Sequence, residues 1–116
     1  MAKPVLTFPV QLGFRFWVRV ILWPRASDAP DNGEGRDAAY FLPTDDLPRK
    51  LGDVHFGRNF LDLATITHEG YHVIAEIRRR IDGSHTHRGE EWCARQTERF
   101  VTGVVNRVRA IGESVK

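Results

Sequence analysis

Apolar positions along this chain follow two periods in succession. From Leu12 to Trp23 they alternate. Phe14, Phe16, Val18, Val20 and Leu22 fall on one side, with Arg15, Trp17, Arg19, Ile21 and Trp23 on the other. Period two in aromatic and β-branched residues predicts a strand, with one face partly wet where the arginines stand. Pro24 ends it. Residues 25–38 are rich in Asp, Gly and Pro and read as a mobile loop. Ala39 to Leu42 predicts a second strand returning from that loop, and Pro43 and Pro48 bracket a turn in which Thr44-Asp45-Asp46 could cap a short helical turn. Asp53 to Phe56 predicts a third, short strand closed by Gly57.

Near Asn59 the period lengthens. Phe60, Leu63, Ile66, Thr67, Gly70, Ile74 and Ile77 recur at helical spacing up to Ile81, with Asp62 near the start, where a carboxylate suits the helix dipole. Asp82-Gly83 is the expected stop, and residues 84–89 (SHTHRG) a polar connection. A second helix, from Glu90 to about Ile111, carries Trp92, Thr97, Phe100, Val101, Val104, Val105 and Val108 as its apolar stripe. Strands first and helices afterwards predict an α+β fold: a small antiparallel or mixed sheet of about three strands, then two long helices. At 116 residues the expectation is a single domain spanning the whole chain.

Apolar content of 41% and charged content of 28% are ordinary for a soluble globular domain. A net charge of +2 does not mark a nucleic-acid binder. Its arginines, at Arg78-Arg79-Arg80 and in the last helix, alternate with acids and are expected to form a solvated helix face. No apolar run approaches a membrane span, since Arg15 and Arg19 interrupt the longest one, and the N-terminus lacks the pattern of a signal peptide. With a lone Cys93, the cytoplasm is the expected compartment.

Chemistry concentrates at His68-Glu69-Gly70-Tyr71-His72. Histidines four apart on a helix share one face, so both imidazoles can converge on one metal ion. Glu69 beside them can take a proton from a water that the ion acidifies. A catalytic zinc usually takes three protein ligands. The position six residues past His72 is Arg78, and the only methionine is Met1, so a metzincin pattern is excluded. The third ligand is sought on the next helix, in the order Glu91, Glu90, Glu98. His85 and His87 are the loop alternatives on a less rigid platform. Tyr40, His55, Arg95 and Arg99 are unranked candidates for stabilising an oxyanion. Gly70, a weak helix former inside the motif, implies a close neighbouring backbone.

His68 to His72 followed by Glu90-Glu91-Trp92-Cys93-Ala94 resembles the small zincin-like metallopeptidases of the gluzincin type, and in particular the compact ones common in bacteriophage genomes. The resemblance covers about Asp53 to Val108. It implies a minimal zincin-like fold and a zinc ion held by His68, His72 and Glu91. It also implies Glu69 as general base in hydrolysis of a peptide or protein substrate, in the host cytoplasm if phage-encoded. The strand Asp53 to Phe56 would then be the sheet edge that receives the substrate. The alternative is a zincin-fold protein of little or no catalytic activity that binds a host or viral protein. Trp17 and Trp23 with Arg15 and Arg19 would form its contact surface or a homodimer interface.

Overall fold

The strand period is realised four times rather than three. The computed structural model describes residues 3–30, 39–81 and 89–116. Its strands are β1 (Leu6–Gln11), β2 (Trp17–Trp23), β3 (Ala39–Pro43) and β4 (Lys50–Gly57). They form one sheet in the order β1-β2-β4-β3, with β1 and β3 antiparallel to their neighbours and β2 parallel to β4. Helices α1 (Leu63–Arg80) and α2 (Gly89–Ala110) follow. The class is α+β with a mixed sheet. No described helix is long and apolar enough to cross a membrane. Residues 31–38 of the expected loop, the expected stop at Asp82-Gly83, and His85 and His87 lie outside the described residues.

Three expectations are corrected. The strand expected from Leu12 begins only at Trp17, because Leu12 to Phe16 is the turn of a hairpin. Phe14 and Arg15 there take φ of 56° and 63°, a left-handed backbone that costs on the order of 1–2 kcal/mol for a residue with a Cβ. Phe14 consequently leaves the buried face and is 49% exposed. The hairpin's other arm, β1, was hidden by Pro9, which is compatible with a strand at a sheet edge. Finally, β4 is not an edge: it runs between β2 and β3, and Leu51, Val54, His55 and Phe56 are all buried. The edge beside α1 is β3.

Elsewhere alternation holds. Val18, Val20 and Leu22 are buried beneath the helices, while Trp17, Arg19 and Trp23 stand on the helix-free face. Helix α1 starts four residues later than its period implies, after a 3-10 turn at Arg58–Phe60. Asp62 is its N-cap and accepts from the Thr65 N–H at 2.7 Å, a bond that holds the carboxyl below the usual range. No helical turn forms at Thr44 to Asp46; the Thr44 hydroxyl instead donates to the Asp46 carboxylate at 2.7 Å.

The helices pack antiparallel, with Gly70 of α1 against Phe100 of α2. A Cβ at Gly70 would sit 3.0 Å from the Phe100 ring. Gly70 thus meets a fully buried aromatic ring rather than the neighbouring backbone expected of it. Ile66, Val73, Ile74 and Ile77 of α1 and Val104, Val105 and Val108 of α2 close the core over the sheet.

Candidate metal centre and substrate groove

Helix α1 carries the motif as its period requires, and the two imidazoles meet. His68 Nε2 and His72 Nε2 lie 3.2 Å apart on the exposed side of the helix, with ring planes 77° apart. Two zinc–nitrogen bonds of about 2.0–2.1 Å at a tetrahedral angle would separate their nitrogens by roughly 3.3–3.4 Å. The observed 3.2 Å is the length of a direct hydrogen bond between the two imidazoles and is also close to that zinc-ligand separation. Glu69 lies one position round the helix, 5% exposed.

Both histidines and Glu69 open onto a groove of about 750 Å³ between α1 and β3. Its α1 wall runs from Ala64 and Thr65 through the motif to Ala75, Glu76 and Arg79, and its other wall is Ala39, Tyr40, Phe41 and Pro43. The backbone pattern of β3 follows from one bond and the register. Thr44 N–H donates to Leu51 C=O at 3.1 Å, and Leu42 and Tyr40 stand opposite Asp53 and His55. In an antiparallel ladder, hydrogen-bonded and open pairs alternate. Tyr40 and Leu42 therefore bond to β4, while Ala39 and Phe41 turn N–H and C=O to the open edge. Pro43, which has no N–H, falls at an open position where none is needed.

A buried ionic staple sets the far end of the groove. Arg80 donates to Glu76 Oε2 (2.7 Å) and to the carbonyls of Thr44 (2.6 Å), Lys50 (2.9 Å) and Leu51 (3.2 Å). It thereby ties the last turn of α1 to the β3–β4 connection. Arg79 adds a two-pronged pair with Glu76 at 3.0 and 2.6 Å. Hydrogen bonds from Arg79, then Arg80, hold the Glu76 carboxyl below the usual range despite its burial. Glu76 was not singled out from the sequence, although its partners Arg79 and Arg80 stand three and four residues along the same helix, the spacing of a local ion pair.

The remaining candidates are placed elsewhere. Glu91 is exposed and sits 3.4 Å from Arg95 Nε, in the first turn of α2. With Gly70 opposite Phe100, helical rise puts Glu91 roughly 10 Å further along the helix pair than His72. Glu98 is nearly level with His72, but it lines a second groove at the opposite edge of the sheet, between α2 and β1. Glu90 is exposed at the start of α2. Among the described residues, no group of three or more His, Cys, Asp and Glu side chains is arranged to hold a metal. The structure brings together His68, Glu69 and His72, and does not bring a carboxylate of α2 to them.

Of the oxyanion candidates, Arg95 and Arg99 line the second groove. Tyr40 stacks on His55 with ring centroids 4.7 Å apart on the helix-free face, and its hydroxyl donates to the Pro30 carbonyl. His55 is buried, and its Nδ1 accepts from the Trp23 indole at 3.0 Å. Burial holds its pKa below the ordinary value. Tyr71, which the sequence reading left out, is 70% exposed beside His72, with ring centroids 5.8 Å apart. No protein-family model matches this chain, and no curated protein or solved structure matches it.

Proposed function

We propose that this chain is a zincin-like, zinc-dependent peptidase whose site is the groove between α1 and β3. The observation that carries this reading is the pair of Nε2 atoms 3.2 Å apart, facing a groove whose opposite wall is β3, an edge strand of the sheet among the described residues. What supports the reading is that the histidine pair and the strand β3, which such an enzyme would use for metal and for peptide, line one groove.

In this reading His68 and His72 hold the ion. Bound zinc supplies Lewis acidity towards a scissile carbonyl and a neighbouring water. Glu69, buried at the motif, accepts a proton from the attacking water and passes it to the leaving amine. An extended peptide adds to β3 as a fifth strand, pairing with the outward N–H and C=O of Phe41 and of Ala39. Its side chains on the helix side then point towards Ala64, Thr65 and the motif. The lone free Cys93 suits a reducing compartment, and we assign the activity to the cytoplasm.

A purely binding role for the helix-free face draws less support. Arg19 is held in a two-pronged bond by Asp53, Trp23 is bonded to His55, and Lys50 packs over the Trp17 ring. These side chains are engaged with one another. The test is Glu69→Gln, assayed for bound zinc and for cleavage of a peptide library with and without chelator. The variant keeps its zinc and loses about 10²-fold or more of the wild-type rate. Undiminished hydrolysis in that variant removes Glu69 as the base, and hydrolysis insensitive to chelator removes the metal.

A further inference from the structure

On the helix-free face a row of stacked rings crosses from β2 over β4 to β3. His55 of β4 lies between Trp23, at the end of β2, and Tyr40, near the start of β3. Ring centroids are 6.2 Å and 4.7 Å from His55, with planes inclined by 18° and 22°. The stack is pinned at both ends. Trp23 Nε1–H donates to His55 Nδ1 at 3.0 Å, and the Tyr40 hydroxyl donates to the Pro30 carbonyl. Between Trp23 and Pro30 the chain folds back on β4, where Ala26 packs so closely on Gly57 that no side chain would fit there. The row of rings thus joins the segment leaving β2 to β3. Tyr40 also borders the groove between α1 and β3.

His55 is the joint of this arrangement and is 5% exposed. An indole can only donate, so the bond from Trp23 requires Nδ1 to be without a proton. A doubly protonated imidazole has a donor on each nitrogen, so turning the ring over brings a second N–H to the indole and no acceptor. The attraction of a cation to the flanking rings does not replace that acceptor. Burial is the largest influence on His55 and holds its pKa below the ordinary value, with Asp53 of its own strand opposing and Arg19 of β2 reinforcing. Those two charges are bonded to each other at 2.9 and 2.8 Å. From β3 the titratable neighbour is Tyr40.

We propose that the stack is an acid-sensitive clasp: when His55 takes up a second proton the Trp23 bond breaks, the rings part, and β3 loosens from β4 at the wall of the groove. In the peptidase reading this withdraws the edge at Ala39 and Phe41 from a substrate strand and confines peptide binding to neutral pH. That consequence rests on the peptidase reading; the loosening of β3 does not.

The test is amide hydrogen exchange by NMR from about pH 7.5 down to about 5, corrected for the intrinsic exchange rate. Tyr40 and Leu42 report on β3 and Val20 on the sheet interior. Protection at Tyr40 and Leu42 falls by up to about tenfold per pH unit below the folded pKa of His55, and the Trp23 indole N–H signal moves with the same midpoint. In low urea the exchange of Tyr40 and Leu42 stays constant while that of Val20 quickens, the mark of a local opening. His55→Gln, whose amide oxygen can accept from the indole at every pH, gives flat protection at β3. Trp23→Phe keeps a ring in the stack and deletes the donor, so β3 is less protected at neutral pH and less sensitive to acid. His68→Ala with His72→Ala keeps the full transition, which separates the clasp from the motif histidines and from the fate of the peptidase reading. The clasp is overturned by β3 protection that does not fall with pH, that still falls in His55→Gln, that follows Val20 in urea, or that no longer falls in the double histidine variant.

Discussion

Replacing Arg80 by methionine tests whether the groove owes its shape to a single guanidinium. The side chain is 14% exposed and makes four hydrogen bonds, three of them to backbone carbonyls in and beside the β3–β4 connection. Methionine keeps most of the aliphatic stem, so the loss is mainly polar. Two acceptors keep a partner: Leu51 C=O retains the Thr44 N–H, and Glu76 retains Arg79. The carbonyls of Lys50 and Thr44 lose this donor. Lys50 is a buried residue and Thr44 a half-buried one. At about 1–3 kcal/mol for each of the two acceptors stripped of its donor, the cost is about 2–6 kcal/mol. For a chain of this size that lowers Tm by roughly 8–24 °C. Arg79→Met is the matched control: it touches the same carboxylate from a side chain 66% exposed and so costs much less than Arg80→Met. Thermal unfolding followed by circular dichroism measures both, and hydrogen exchange at Thr44 and Lys50 should quicken only in Arg80→Met. Equal effects of the two substitutions, or a shift under about 2 °C for Arg80→Met, would refute the staple.

Two further outcomes follow from packing and burial. Gly70→Ala should lower stability by about 1 kcal/mol in urea unfolding, even though alanine favours helix by about that amount over glycine, because the new methyl lies 3.0 Å from the fully buried Phe100 ring. A more stable variant would show that the ring gives way freely. His55, whose Nδ1 accepts from the donor-only Trp23 indole, must be neutral with its proton on Nε2. Its pKa is depressed by burial, with Asp53 opposing and Arg19 reinforcing. The unfolded chain therefore binds the proton first: this contribution is complete above about pH 6.5 and lost as pH falls through the folded value. Urea midpoints measured from pH 8 down to about 5 should decline in the wild type and decline less in His55→Gln. Parallel curves would remove His55 as the titrating group.

What the sequence disclosed depended on whether one element or several decided the outcome. The alternation of Val18, Val20 and Leu22 against Trp17, Arg19 and Trp23 is a property of one strand with one covered face, and it read correctly. His68 and His72 stand with their Nε2 atoms 3.2 Å apart, an approach that helical spacing alone dictates. Strand β1 was missed because Pro9 breaks most strands, and only its place at the sheet edge makes it harmless. The interior place of β4 was missed because partner choice is settled by the whole sheet. The position of Glu91 relative to His72 is set by Gly70 seating against Phe100, a contact between residues 30 positions apart that no local pattern announces. The Arg80 staple is of the same kind, since its acceptors are backbone carbonyls, which carry no signature in side-chain chemistry.

The central claim is that His68 and His72 share one metal ion beside the β3 edge. Zinc content of the purified protein by elemental analysis tests it most directly, taken on the wild type, His72→Ala and Glu91→Gln. The account predicts stoichiometric zinc in the wild type, loss of that zinc in His72→Ala, and retention in Glu91→Gln, whose carboxylate stands apart from the pair. Wild-type protein without zinc, or zinc that survives His72→Ala, would contradict it.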